Sequence, residues 1–257
     1  MSLIERSDAG DCAVLTLNRP RVRNAISNEM LAALEDHLDV VETDGSRGVI
    51  ITGAGNGFCA GTDLREMTDM GLDRYLERVE RVHQLFVRLR TFSLISIAAV
   101  HGAALGGGTE LAAACTFRVA AADAVFGLPE IRLGVMPSYG GTQTVSRLIG
   151  ENRALELMLS GRNLTATEAL DIGLINRCLP EGRNLVDGAC EFAGQMTPYS
   201  LVAQQGIRAC GAASGDCTLE AGMALEREHT REVFASDDAR EGVAAFLEKR
   251  TPRFRDC

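Results

Sequence analysis

The chain has 257 residues, 46% of them apolar and 24% charged, the composition of an ordinary soluble globular protein. At this length roughly 70–75% of the unfolded surface can be buried, so one large domain or two small ones need no disulfide or metal staple. The net charge of −9, from 26 basic and 35 acidic residues, argues against a nucleic-acid-binding surface as the main role, because phosphate neutralisation needs a basic excess; a small polyanionic ligand needs only a local cluster of Arg and Lys.

In chain order, residues 3–6 and 12–17 read as short strands around the turn-rich Asp8-Ala9-Gly10-Asp11. Ser27 caps a helix running to about residue 43, with Met30, Leu31, Leu34, Leu38 and Val41 on one face. Residues 48–52 form an apolar strand suited to burial, and 53–61 a glycine-punctuated loop. Leu72, Tyr75, Leu76, Val79, Val82, Phe86 and Leu89 recur at helical spacing and predict one long amphipathic helix. Residues 94–100 are the next buried strand. A helix over 109–115 follows the triple glycine, and 117–120 and 124–126 are short strands. From Ser138 onward helices dominate, over 142–149, 153–160, 166–172, 185–195, 198–212, 218–234 and 237–248, interrupted by one strand-like piece at 176–179. This order fits an α/β fold of stacked βαβ turns carrying a small helical appendage, divided as a core of 1–197 and a C-terminal helical region of 198–257.

The eight cysteines form neither C-x-x-C nor a Cys/His pattern with zinc spacing. No metal site is expected, and Cys12 and Cys257 read as free thiols of a reducing compartment. Residues 1–6 lack a basic region followed by a long apolar run, so no secretory signal is expected. The apolar stretch 94–105 is too short to span a bilayer and contains His101. The expectation is a cytoplasmic protein with no membrane and no nucleic-acid partner.

Three segments carry candidate chemistry. In Gly106-Gly107-Gly108-Thr109-Glu110, a strand ending in glycines presents N–H groups to an anion with a helix dipole behind them; the same glycines would serve close helix–strand packing. In Pro129-Glu130, a proline and an acid suit a first helical turn and need no further explanation. If Glu130 faces Glu110, however, the two carboxylates cannot both ionise freely, their pKa values split, and one becomes an acid and the other a base. In Ala60-Gly61-Thr62-Asp63, the Thr62 N–H could be a second donor aimed at the same oxygen as that of Gly107, making an oxyanion hole; Asp63 could equally cap a short helix. His37, His83, His101 and His229 accompany no G-x-S-x-G elbow. Walker A and G-x-G-x-x-G patterns are absent.

These residues resemble the crotonase, or enoyl-CoA hydratase/isomerase, superfamily. The resemblance runs in order through Leu17-Asn18-Arg19-Pro20 with Asn24-Ala25, Phe58 to Met67, Val100 to Glu110, and Phe126 to Glu130 with Leu133-Gly134. It continues through Pro137, Gly140 to Gln143, Ala169, Gly173-Leu174, Glu241-Gly242 and Phe246 to Arg250. It implies a crotonase-like spiral of stacked ββα turns, a C-terminal helical trimerisation region, and self-association as a trimer or dimer of trimers. It also implies an acyl-CoA thioester as substrate, with no cofactor beyond the coenzyme A that the substrate carries. The thioester oxygen would rest on the Thr62 and Gly107 N–H groups, Glu110 would activate water and Glu130 would protonate the α-carbon. The resemblance further places Ala60, Asp63, Leu64 and Gly106 on the substrate side, with Arg21, Arg23 and Arg65 toward the CoA. Phe246 and Lys249 resemble a pair that reaches the adenine end from a neighbouring subunit.

Both glutamates being present, the chain looks like a hydratase adding water syn to a trans-2-enoyl-CoA. The sequence departs from the family pattern at Thr62, where alanine is commoner, and at Ser138-Tyr139, where a glycine and a small residue are usual. Tyr139 could narrow the acyl pocket, offer a phenol to a polar acyl group, or lie on the surface of a turn. That keeps open an isomerase, lyase or hydrolase acting on a polar or branched acyl group, and, further off, a non-catalytic RNA-binding homologue.

Overall fold

The computed structural model describes residues 2–68 and 70–257. It divides into two compact units, Met1–Ala193 and Gly194–Cys257.

The first unit opens with the expected hairpin. β1 (Ile4–Ala9) turns through Gly10 and returns antiparallel as β2 (Cys12–Leu17). Helix α1 (Asn28–Val41) is capped by Ser27, whose hydroxyl accepts the Met30 N–H at 3.2 Å. Its five expected apolar positions are all buried, and each such side chain contributes about 1.5–3 kcal/mol when taken out of water. That stripe fixes α1 against β1 and β2. β3 (Gly48–Gly53) is followed by the short α2 (Leu64–Thr68) and the long α3 (Leu72–Thr91). β4 (Ile95–Val100), β5 (Ala103–Leu105) and α4 (Gly107–Ala114) come next, then β6 (Phe117–Ala120) and β7 (Val125–Gly127). A 3₁₀ turn over Pro129–Leu133 leads to α5 (Gly141–Ile149) and α6 (Glu151–Ser160). β8 (Asn163–Thr165), α7 (Ala166–Asp171), β9 (Arg177–Cys178) and α8 (Leu185–Ala193) complete the unit.

The strands form two sheets. The larger runs β1-β2-β3-β4-β6-β9 and is parallel beyond its first hairpin. β3 and β4 are buried at every residue, as parallel strands covered on both faces must be. The smaller sheet runs β5-β7-β8. β5 and β8 were not expected from the sequence. Helix α8 packs on β1, β3, β4 and β6. Helix α3 also departs from expectation. Leu72 and Leu76 are exposed, and the buried face runs through Arg78, Val82, Leu85, Phe86 and Leu89. An arginine holds a core position there because its guanidinium is engaged on several sides.

The second unit contains α9 (Leu201–Ala213), α10 (Leu219–Ala235) and α11 (Asp237–Glu248). Each begins on a hydroxyl N-cap, Ser200, Thr218 and Ser236 respectively, a contact usually contributing about 1 kcal/mol. The C-terminal segment is tied back by the Asp238 carboxylate, which accepts the N–H groups of Arg255 (2.7 Å) and Asp256 (3.0 Å). Cys12 and Cys257, like the other six cysteines, are free thiols. Among the described residues no helix is long and apolar enough to cross a membrane, and no His/Cys/Asp/Glu group could hold a metal ion.

Candidate active site

Segments from both sheets of the first unit enclose a cavity of about 110 Å³. The loop after β3 contributes Ala60, Thr62 and Leu64, and the β5–α4 turn contributes Gly106, Gly107 and Glu110. Glu130 enters from the 3₁₀ turn and Ser138 from the loop before α5. The acidic pair and both proposed amide donors therefore meet at one place.

Close backbone approach brings the donors together. Gly61 adopts φ +95°, and a Cβ there would lie 2.8 Å from Leu105 O and 3.1 Å from Gly107 N, so only glycine lets this loop rest on the start of α4. Ile26 pairs with the loop through Gly61 O (2.8 Å) and the Asp63 N–H (2.9 Å), a pattern that skips the N–H of Thr62. Gly107 is the first residue of α4, where an N–H has no partner within the helix. Among the described residues neither amide donates a hydrogen bond. Thr109, on the same helix, pins the turn: its hydroxyl donates to Ala104 O (2.6 Å) and accepts the Gly127 N–H (3.2 Å). That joins β5 to β7 just ahead of Glu130.

The two carboxyls have different surroundings. Glu110 is 2% exposed, and its Oε1 accepts the N–H groups of Tyr139 (2.9 Å) and Gly141 (2.8 Å). Burial pushes its pKa up to about 7, the neighbouring Glu130 pushes the same way, and the two N–H donors oppose them. Burial raises Glu130 as well. Its Oε2 is buried with no hydrogen-bond partner among the described residues. Such an atom calls for a proton, a water or a substrate. Two donors favour charge on Glu110, whereas the orphaned oxygen favours a proton on Glu130.

Glycines hold both side chains in place. A Cβ on Gly106 would lie 2.9 Å from Glu130 Oε1, and one on Gly141 would lie 2.8 Å from Glu110 Oε1. Gly141→Ala is therefore expected to push Glu110 off its donors and raise its pKa further above about 7, because those hydrogen bonds favour the ionised form. A carboxyl infrared titration that leaves Glu110 unchanged in the variant would contradict this.

The remaining residues singled out from sequence lie outside the cavity lining. Asp63 is buried and paired with Arg19 (2.9 Å), and Arg65 is exposed on α2. Arg21 and Arg23 are exposed, and Arg23 has φ 54° with its carbonyl accepting the Ala60 N–H at 2.9 Å. Phe246 and Lys249 belong to the second unit, Phe246 exposed on α11 and Lys249 exposed at its left-handed C-cap. Tyr139 differs most from expectation. It is 1% exposed, so it is neither a surface side chain nor one offering its phenol to an acyl group. The phenol oxygen accepts from Arg78 Nε at 2.7 Å, and burial raises the pKa of the phenol while Arg78 and the nearby Thr62 hydroxyl oppose that rise. Ser138 does reach the cavity, where its hydroxyl meets that of Tyr75 at 2.8 Å.

Sequence reasoning missed Arg78, Tyr75, Thr109 and the anchoring role of Asn24. Asn24 is wholly buried, and its side chain donates to Ala54 O and Gly57 O, both at 2.9 Å, while accepting the Arg19 N–H at 2.9 Å. Its left-handed φ of 55° suits asparagine better than most residues.

Residues 8–257 match the family model described as Enoyl-CoA hydratase/isomerase. The chain is 42% identical over 243 residues to the 2,3-dehydroadipyl-CoA hydratase of Escherichia coli K12, covering 94% of each chain. It is 37% identical over 243 residues to the short-chain-enoyl-CoA hydratase of Clostridium acetobutylicum, covering 94% of this chain and 93% of that one. Among solved structures, an enoyl-CoA hydratase from Bacillus anthracis superposes with a TM-score of 0.94 at 35% identity, covering 100% of both chains.

Proposed function

Because the chain belongs to the enoyl-CoA hydratase/isomerase family and is a hydro-lyase of the enoyl-CoA hydratase type, we propose that the cavity between Glu110 and Glu130 is where water adds to a trans-2-enoyl-CoA. The observation that carries this assignment is the shared cavity itself, which holds two carboxyls beside two unpartnered main-chain amides. The Thr62 and Gly107 N–H groups grip the thioester oxygen. Glu110, ionised and held by two donors, takes a proton from water as its oxygen bonds the β-carbon. The electron pair of the double bond moves toward the thioester oxygen, and Glu130 delivers its proton to the α-carbon. Addition is syn, with both carboxyls addressing the same face of the double bond. Water supplies the two hydrogens in net, and a proton returning from Glu110 to Glu130 resets the pair. No cofactor takes part beyond the CoA of the substrate.

A short acyl group suits about 110 Å³. The Tyr75 and Ser138 hydroxyls favour a second reading, an acyl chain with a polar end, in line with the dehydroadipyl substrate named for the Escherichia coli relative. Hydration is followed by loss of enoyl-thioester absorbance with crotonyl-CoA, a longer unbranched enoyl-CoA and 2,3-dehydroadipyl-CoA. The short-chain reading expects kcat/KM for crotonyl-CoA to exceed the longer apolar substrate by about 10-fold or more. No absorbance loss with any of the three would reject hydration. We further propose assembly of a trimer or dimer of trimers in the cytoplasm. The exposed apolar residues Ile207 and Phe234 of the helical unit support the self-association.

A further inference from the structure

Arg78 is 4% exposed on α3, a location a guanidinium tolerates only with its donors used. Four bonds use them. Nε donates to the Tyr139 phenol (2.7 Å), Nη1 to Asn28 Oδ1 (2.9 Å) and Glu66 Oε2 (2.6 Å), and Nη2 to Ile26 O (2.6 Å). The acceptors come from separate parts of the chain that flank the site from two sides.

On one side, Ile26 holds Gly61 and Asp63, the neighbours of the Thr62 amide. On the other, the Tyr139 N–H binds Glu110 Oε1 at 2.9 Å. The Tyr139 ring lies against Gly107, 3.0 Å from where a Cβ would stand, and meets Phe86 edge-on with centroids 6.3 Å apart. The two departures from the family pattern are thus linked through Arg78, which holds the Tyr139 phenol directly and the Thr62 loop by way of Ile26.

We propose that Arg78, acting through the Tyr139 phenol, is a positioning residue that sets the Glu110 carboxylate relative to the Thr62 amide. The inference rests on the hydration reading above. It gives the phenol a task other than acyl recognition, which its burial precludes.

The test uses full-length Tyr139→Phe, Arg78→Lys and the double variant, with Glu110→Gln alongside. Tyr139→Phe keeps the ring and the main-chain N–H and removes only the bridging oxygen. It is expected to lower kcat for crotonyl-CoA about 10-fold, the order expected from a sub-ångström misplacement of a reacting group, with KM within about twofold. The acid limb of its pH–rate profile should move to higher pH as the Tyr139 N–H grips Glu110 less firmly. Arg78→Lys keeps a charge for Glu66 but loses the fork, and should lose kcat comparably. Residues acting as one unit give a double variant no worse than the poorer single. The proposal is overturned if Tyr139→Phe keeps wild-type kcat and acid limb, if it raises KM alone, if the two losses multiply, or if Arg78→Lys lowers Tm without lowering kcat. Retained activity in Glu110→Gln would instead reject the hydration reading, which keeps the two failures apart.

Discussion

Glu110→Gln is expected to lower kcat for crotonyl-CoA hydration by about 10²-fold or more, the loss typical of removing a general base, while raising stability at neutral and alkaline pH. Both follow from one fact: the carboxyl is buried with a pKa pushed up to about 7. The amide can still accept the Tyr139 and Gly141 N–H groups, so the fold is kept and the proton acceptor is lost. The sign for stability is fixed by linkage. An acid whose folded pKa is raised stabilises the native state fully below its ordinary value, and that contribution disappears as pH rises through about 7. The wild type therefore carries a cost on the order of 3 kcal/mol above pH 7 that the glutamine variant lacks. Melting curves should separate in favour of Glu110→Gln at pH 8 and converge near pH 4. A variant no more stable than wild type at pH 8 would mean that Glu110 is not strained by its burial.

Glu130→Gln is expected to cost a similar 10²-fold or more in kcat, by a different route. Its carboxyl owns the buried oxygen without a partner, so the lost function is delivery of a proton. Substrate binding should change little, because the thioester grip comes from main-chain amides. The pH–rate profile should also change shape. With one proton shared by two acids, the wild type gives a bell whose limbs belong to the pair. Its acid limb lies near 7, and the basic limb marks loss of the donated proton. Glu130→Gln should move the acid limb to lower pH, because the Glu130 carboxyl no longer pushes Glu110 up, and should lose the basic one. A bell with both limbs intact, or near wild-type turnover, would show that another group protonates the α-carbon.

What the sequence disclosed tracks how local each cause is. The stripe and cap of α1 were readable because Ser27 and five apolar residues sit within four turns and need nothing distant to make sense. The β3 and β4 runs were readable because burial on both faces leaves nearly continuous apolar runs, with Thr52 and Ser96 the polar side chains in them. The glycines of the β5–α4 turn were readable as a close approach, yet only resemblance to a family joined Glu110 to Glu130. Arg78 was invisible. It occupies a spacing that suits a core leucine, and its acceptors Ile26, Asn28, Glu66 and Tyr139 are scattered along the chain. Tyr139 was misjudged for the same reason, since no neighbour in sequence says that its side chain turns inward.

Beyond the β1–β2 hairpin, the pairings of the large sheet join strands distant in sequence, and the longest closure is that between β6 and β9. Non-local pairs reward the chain only after the intervening loop has been ordered, which slows acquisition of the native state. The 3₁₀ turn bearing Glu130 and the Tyr139–Gly141 loop both lie inside that last span. A polypeptide leaving the ribosome thus presents Glu110 well before the amides that will hold it, and its chemistry matures only when the far edge of the sheet is laid down.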